Sequence, residues 1–256
     1  MLTISSVEAF SDNYIWVLHN QTDAIAVDPG DAAPLMEFLD AKKLTLQAIL
    51  VTHRHRDHIG GIEVLAHRYP GVRIIGPTTL ALATESVKDG DQITLLAQRF
   101  EVIAVPGHTL DHLAYYAAPW LLCGDTLFGA GCGRIFEGTP DQMYASLNRL
   151  AALPADTLIY PAHEYTLANL AFALQIEPSN SDIIQRLISD KAKRDQGLPT
   201  LPSTMALENA TNPFLRTACN NVQSAAALHS GQKNRAPNEI FAVLREWKDG
   251  FSNVIG

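Results

Sequence analysis

Short apolar, β-branched runs recur along the first two thirds of the chain, each stopping at a turn residue, an aspartate or a histidine. Runs of that length, bounded by turn signals, read as buried strands. They fall at residues 14–18, 24–27, 48–51, 72–76, 92–96, 100–105, 113–116, 120–123 and 157–160. Helical spacing appears at residues 34–39 and 62–69, and in Met143, Leu147, Leu150 and Leu153. After Tyr165 the period changes. Leu167, Leu170, Ala171 and Leu174 mark one helix, residues 183–194 another, and Ile240, Val243, Leu244 and Trp247 a last amphipathic one. No strand is expected beyond Tyr165. The pattern predicts an α/β domain over residues 1–165 and a helical domain over 166–256.

The chemistry sits where the strands stop. The run 48–51 leads into Thr52-His53-Arg54-His55-Arg56-Asp57-His58, then Ile59-Gly60-Gly61. Extended residues alternate faces, which puts His53 and His55 on one side, while Asp57 and His58 turn into a helix. His108 follows the run 100–105, Asp125 follows 120–123 and His163 follows 157–160. Imidazole and carboxylate are ligands for borderline metals. The set divides into His53, His55 and His108 for one ion and Asp57, His58 and His163 for a second, with Asp125 bridging. Two divalent metal ions are therefore expected, zinc first, with iron or manganese as alternatives. Asp57 and Asp125 would act catalytically with a hydroxide bridging the two metals, and the reaction class is hydrolysis. His112 is read as structural, and Asp28, before Pro29-Gly30, as turn chemistry.

Composition narrows the partners. The 256 residues are 47% hydrophobic and 18% charged, ordinary for a globular chain, and the formal charge of -8 argues against nucleic acid and acidic membranes. Cys123, Cys132 and Cys219 are an odd set without a C-x-x-C pair. The first residues lack a basic start, and no apolar stretch reaches membrane-spanning length. A cytoplasmic monomer acting on a small molecule is expected. A nuclease or phosphodiesterase would need a basic surface. A secreted β-lactamase would need a signal peptide, and a one-iron persulfide dioxygenase would not need the full second ligand set.

Thr52-His-x-His-x-Asp-His58, Pro106-Gly-His-Thr109, Gly124-Asp-Thr-Leu-Phe128 and Ala162-His-Glu-Tyr-Thr166, in this order, resemble the metallo-β-lactamase superfamily. Asp12-Asn13-Tyr14-Ile15-Trp16, Gly131-Cys132-Gly133-Arg134 and Asn212-Pro213-Phe214-Leu215-Arg216 narrow the likeness to the glyoxalase II (hydroxyacylglutathione hydrolase) family. The resemblance implies an αββα sandwich with a C-terminal glutathione-binding helical domain. It implies hydrolysis of S-D-lactoylglutathione to D-lactate and glutathione, the second step of methylglyoxal detoxification. It places substrate contacts at Arg134, Tyr165, Arg245 and Lys248. Arg245 and Lys248 are three apart on a helix and can face the same way. Phe136, Arg134 and Asp111 depart from the family pattern, in place of a tyrosine, a lysine and a glycine.

Overall fold

The computed structural model describes residues 2–233 and 235–251. The chain forms two compact units: residues 1–105, 111–125 and 160–163 make the first, and 106–110, 126–159 and 164–256 the second.

The first unit begins with β1 (Thr3–Ala9), β2 (Asn13–His19) and β3 (Asp23–Val27), an antiparallel meander. Helix α1 (Ala32–Lys42) then carries the chain to β4 (Thr45–Leu50), which lies parallel to β3. The short α2 (Arg56–Ile59) and α3 (Ile62–Arg68) lead to β5 (Arg73–Pro77) and β6 (Glu85–Val87), both parallel additions. The strands form one six-stranded sheet in chain order. Leu35, Leu39, Ile62 and Leu65 cover one face of it, packed with Ala24, Ala26, Ile49 and Ile74 in a single apolar cluster.

A second sheet follows: β7 (Gln92–Leu95), β8 (Gln98–Ala104), β9 (Leu113–Ala117) and β10 (Trp120–Gly124), paired antiparallel in succession. The two sheets are stitched by polar contacts as well as apolar ones. Tyr115 Oη donates to Val51 O at 2.7 Å, Leu113 N to Thr52 O at 2.9 Å and Trp16 Nε1 to Pro161 O at 2.7 Å. A buried phenol and indole each need such a partner, and here each finds a carbonyl at the end of a strand.

The chain next supplies β11 (Leu127–Phe128), β12 (Gly131–Cys132) and α4 (Pro140–Ala151) to the second unit. Helix α4 starts with a capping box: Thr139 Oγ1 accepts from Gln142 N, and Gln142 Oε1 accepts from Thr139 N. Strand β13 (Leu158–Pro161) passes from the second unit into the first along its length. The remainder holds α5 (Thr166–Ile176), α6 (Ser181–Arg194), β14 (Ser203–Thr204), α7 (Met205–Thr211), α8 (Asn220–Ser230) and α9 (Pro237–Asp249). Contrary to the expectation of no strand after Tyr165, β14 pairs antiparallel with Leu158 and Ile159. Two residues are too few to show a period in the sequence.

Helix α5 is apolar nearly all round, and Leu170, Phe172, Ala173 and Ile176 are buried, so it forms the core of this unit. An ionic cluster lies beside it. Buried Arg186 donates to Glu208 Oε1 at 2.7 Å, to Thr211 Oγ1 at 2.6 Å and to Asp190 Oδ2 at 3.3 Å. Glu208 Oε2 accepts from Ala130 N at 2.8 Å and so fixes the β11–β12 hairpin. Breaking a buried pair strands a charge, so Arg186→Met is expected to lower unfolding stability by about 3–5 kcal/mol, measured in urea. Lys191→Ala, which removes an exposed pair with Asp195, should cost less than about 1 kcal/mol in the same assay.

Candidate metal centre

The loop after β4 is held in shape before any metal is considered. Buried Asp28 closes β3 in the left-handed region, with φ 51°. Its Oδ1 accepts from Thr52 N at 2.7 Å, and its Oδ2 from Thr52 Oγ1 at 2.6 Å and His58 Nδ1 at 3.0 Å. The reading of Asp28 as turn chemistry alone is thereby corrected: this carboxylate orients the histidine motif. A Cβ on Gly30 would overlap the carbonyl oxygen of Asp57, so only glycine lets the β3–α1 turn pass that close to the motif.

Each buried histidine of the motif has its proton placed by a neighbour. The Thr52 hydroxyl gives its hydrogen to Asp28, so its oxygen accepts from His53 Nδ1 at 3.0 Å. His58 Nδ1 donates to Asp28, and His163 Nδ1 to Asp12 Oδ1 at 2.8 Å. In the neutral form of each imidazole this leaves the lone pair on Nε2, the form a metal requires. His53 Nε2 lies 3.0 Å from His55 Nδ1, so those two nitrogens face one another. His112 is buried, stacks on His53 with ring centroids 4.6 Å apart, and accepts from Asp125 N at 3.1 Å. It supports both neighbours through its ring and its nitrogen.

Asp57, His58 and His163 bring ligand atoms within 4.8 Å of one another. His58 Nε2 is buried without a hydrogen bond, 3.4 Å from Asp57 Oδ2 and 3.5 Å from Asp125 Oδ2. His163 Nε2 is 3.5 Å from Asp57 Oδ2 and 3.4 Å from Asp125 Oδ1. Two carboxylates and two imidazoles converging from three chain segments, with an orphaned buried nitrogen among them, fit a divalent metal. Without one, protons must balance the charge. Burial lowers the pKa of His163, but the facing Asp125 and Asp57 outweigh it and push it up to about 10. Burial likewise opposes charge on His58, yet Asp125 and Asp28 raise it well above the usual value. Contact with His163 and His58 holds Asp57 far below the ordinary carboxylate range.

The other residues picked from the sequence lie in the second unit. His108 donates from Nδ1 to Arg134 O at 2.8 Å, leaving its own Nε2 lone pair. Arg134 is exposed and ion-paired to Asp249, and Tyr165 is partly exposed with its ring edge-on to Phe128. Lys248 Nζ donates to Ala168 O at 3.1 Å, over the rings of Phe172 and Phe251. Burial, and then the charge of Arg245, lowers its pKa to about 8. Arg245 is buried, with Nη1 on Cys132 O at 3.0 Å. Sequence reasoning did not assign Asp12 or Asp28 to the site. The available signals were an aspartate before Pro29-Gly30 for Asp28 and the family motif Asp12-Asn13-Tyr14-Ile15-Trp16 for Asp12.

Two outcomes are expected for the metal. Asp28→Asn should weaken zinc affinity by about 10- to 100-fold in a chelator competition, because an orienting partner of His58 is lost. Zinc titrated into metal-free protein at pH 7 should displace protons, since His58 and His163, with raised pKa values, are protonated there. Affinity should therefore climb as pH rises toward about 10, and calorimetry in buffers of differing ionisation enthalpy reads the protons released.

Comparison with known proteins agrees with this architecture. The metallo-beta-lactamase superfamily matches residues 10–163, and the hydroxyacylglutathione hydrolase C-terminus matches residues 164–251. A hydroxyacylglutathione hydrolase of Pseudomonas fluorescens is 51% identical over 98% of this chain and 100% of its own length. One from Photobacterium profundum is 50% identical with the same coverage. Among solved structures, ETHE1 from Myxococcus xanthus aligns with TM-score 0.65 at 24% identity, covering 97% of this chain and 98% of that one. The BLEG-1 B3 metallo-beta-lactamase aligns with TM-score 0.64 at 22% identity, over 83% and 99%. These two likenesses are of fold, the αββα metallo-β-lactamase sandwich. With both family regions matched end to end and half of its residues shared with full-length relatives, the chain belongs to the hydroxyacylglutathione hydrolase family of the metallo-β-lactamase superfamily.

Proposed function

We propose that this chain hydrolyses S-D-lactoylglutathione to D-lactate and glutathione, as a cytoplasmic monomer acting in the second step of methylglyoxal detoxification. The observation that carries the reading is the convergence of Asp57, His58, Asp125 and His163, inside a chain half identical to hydroxyacylglutathione hydrolases. His53, His55 and His108 are assigned to one metal and Asp57, His58 and His163 to another, with Asp125 shared. Zinc is the expected occupant. When bound, such metals lower the pKa of a coordinated water and polarise a carbonyl.

The protein's own groups do the rest. Asp12, Asp28 and Thr52 fix the imidazole tautomers, so that no rearrangement is needed at the moment of reaction. Asn13 Nδ2 donates to Asp57 Oδ2 at 3.2 Å and holds that half-exposed carboxylate on the open side of the cluster. Asp57 stays ionised and is no general acid. None is needed, because a thiol with a pKa of about 8.5 leaves readily as the thiolate. Residues 166–256, together with Arg134 and Tyr165, supply the glutathione contacts. Arg134, Arg245 and Lys248 are the cations suited to its carboxylates. The three free cysteines agree with a reducing compartment, and no helix among the described residues is long and apolar enough to cross a membrane.

The test is thiol release from S-D-lactoylglutathione with metal content measured on the same sample. Rapid release with close to two metals per chain is expected. Asp57→Ala and His163→Ala should each cost at least about a hundredfold in kcat/KM, with metal loss. Two bound metals without thiol release would overturn the substrate assignment. A single iron with oxygen uptake would overturn the hydrolase reading.

A further inference from the structure

Residues 52–54 and 111–113 of the first unit pair one to one in reversed order. Leu113 N donates to Thr52 O at 2.9 Å, the His112 ring stacks on that of His53 at 4.6 Å, and Asp111 Oδ2 lies 3.7 Å from Arg54 Nε. The same Asp111 oxygen accepts from the hydroxyl of Thr79, which follows β5. One carboxylate therefore joins the loop after β4, the turn after β5 and the segment entering β9. The Asp111 side chain is only 13% exposed, and that of Arg54 is 46% exposed. Arg54 stands between His53 and His55, whose facing nitrogens are 3.0 Å apart.

Resting on the proposed assignment of His53 and His55 to one metal, we infer that Asp111, with Thr79 behind it, is a positioning residue for that metal and acts through Arg54. The alternation of an extended segment supplies the reason. His53 and His55 turn to one side, and the residue between them turns to the other. His55 keeps an extended backbone, φ -65° and ψ 146°, up to the start of α2. A tether on Arg54 thus fixes the loop from its far side and leaves both imidazoles to the metal. His53 is already held at its ring, by Thr52 and by His112. The pair with Asp111 carries that hold one residue further, toward His55. Asp111 also offsets the charge of Arg54, a cation adjoining two ligands meant for a dication. A half-exposed pair adds little to the stability of the fold, so its effect is local.

Zinc titrated into metal-free protein against a chelator, with bound metal counted per chain, tests this clasp without turnover. Asp111→Ala should weaken one of two zinc ions about tenfold and leave the other unchanged within about twofold. Arg54→Ala should weaken the same ion about fivefold, the upper range for a half-exposed ion pair. The double variant should match Asp111→Ala within about twofold, because the two side chains act as one unit. Arg54→Lys should recover part of the loss, since it keeps the charge but not the planar fork. The unfolding temperature of each metal-free variant should stay within about 2 °C of the wild type. The direction of the Arg54→Ala effect is decisive. Were charge alone at work, removing that cation would tighten zinc, and this result would overturn the clasp. Unchanged affinity in Asp111→Ala, or effects that multiply in the double variant, would overturn it too. Equal weakening of both ions together with a lower unfolding temperature would make Asp111 a brace of the fold and no positioning residue. A wild type binding a single zinc, indifferent to both variants, would overturn the clasp and the two-metal assignment together. Thiol release from S-D-lactoylglutathione is read on the same samples. Its absence in zinc-loaded wild type would sink the hydrolase reading and leave the zinc comparison standing, so the two fail separately.

Discussion

The hydrogen bonds of Asp28 are the constraint on which the metal-binding loop depends. One buried carboxylate receives the amide and hydroxyl of Thr52 and the Nδ1 of His58. It thereby joins the end of β3 to the end of β4 and fixes two imidazoles, His58 directly and His53 through Thr52. An unpaired carboxylate would be costly at that depth, and three donors offset the cost. The neighbouring chain is drawn in so tightly that a side chain on Gly30 would collide with Asp57. A positive φ at Asp28 is the local expense of this arrangement.

Around that anchor the first unit gathers more negative than positive charge. Asp12, Asp28, Asp57 and Asp125 surround His58 and His163. In the metal-free protein the imidazoles answer by holding protons. A cation answers better, because it binds the Nε2 lone pairs and neutralises the carboxylates at once. Metal affinity and imidazole basicity are thus two expressions of one field.

The second unit shows the same economy with opposite signs. Buried Arg186 is matched by Glu208 and Asp190, and buried Arg245 by Asp249 and backbone carbonyls. Glu208 and Arg245 both reach the β11–β12 hairpin, one at Ala130 N and the other at Cys132 O. The segment leading to Arg134 is consequently held from two sides by charge rather than by apolar packing. A cation meant for a ligand can then stay exposed without being loose.

Much was legible in the sequence. The apolar runs at 14–18, 24–27 and 48–51 became β2, β3 and β4, and the spacing of Leu167, Leu170, Ala171 and Leu174 became α5. Period is a local property, and a buried strand or helix face must display it. The motif also announced its chemistry, since donors crowded within a few residues need no fold to be recognised. Other elements left no such trace. Strand β1 alternates weakly through Ser5 and Ser6, and β14 has only two residues. Asp28 read as a turn residue and Asp12 only as part of a family motif, because their partners, Thr52 with His58 and His163, are distant in the chain. Arg245 was marked from the sequence as a glutathione contact, but nothing local to it shows that the fold buries it against Cys132, more than a hundred positions earlier. Residue type and spacing determined which atoms could bind a metal. Which nitrogen carries the proton, and which arginine stays exposed, was decided only by contacts that the folded chain brings together.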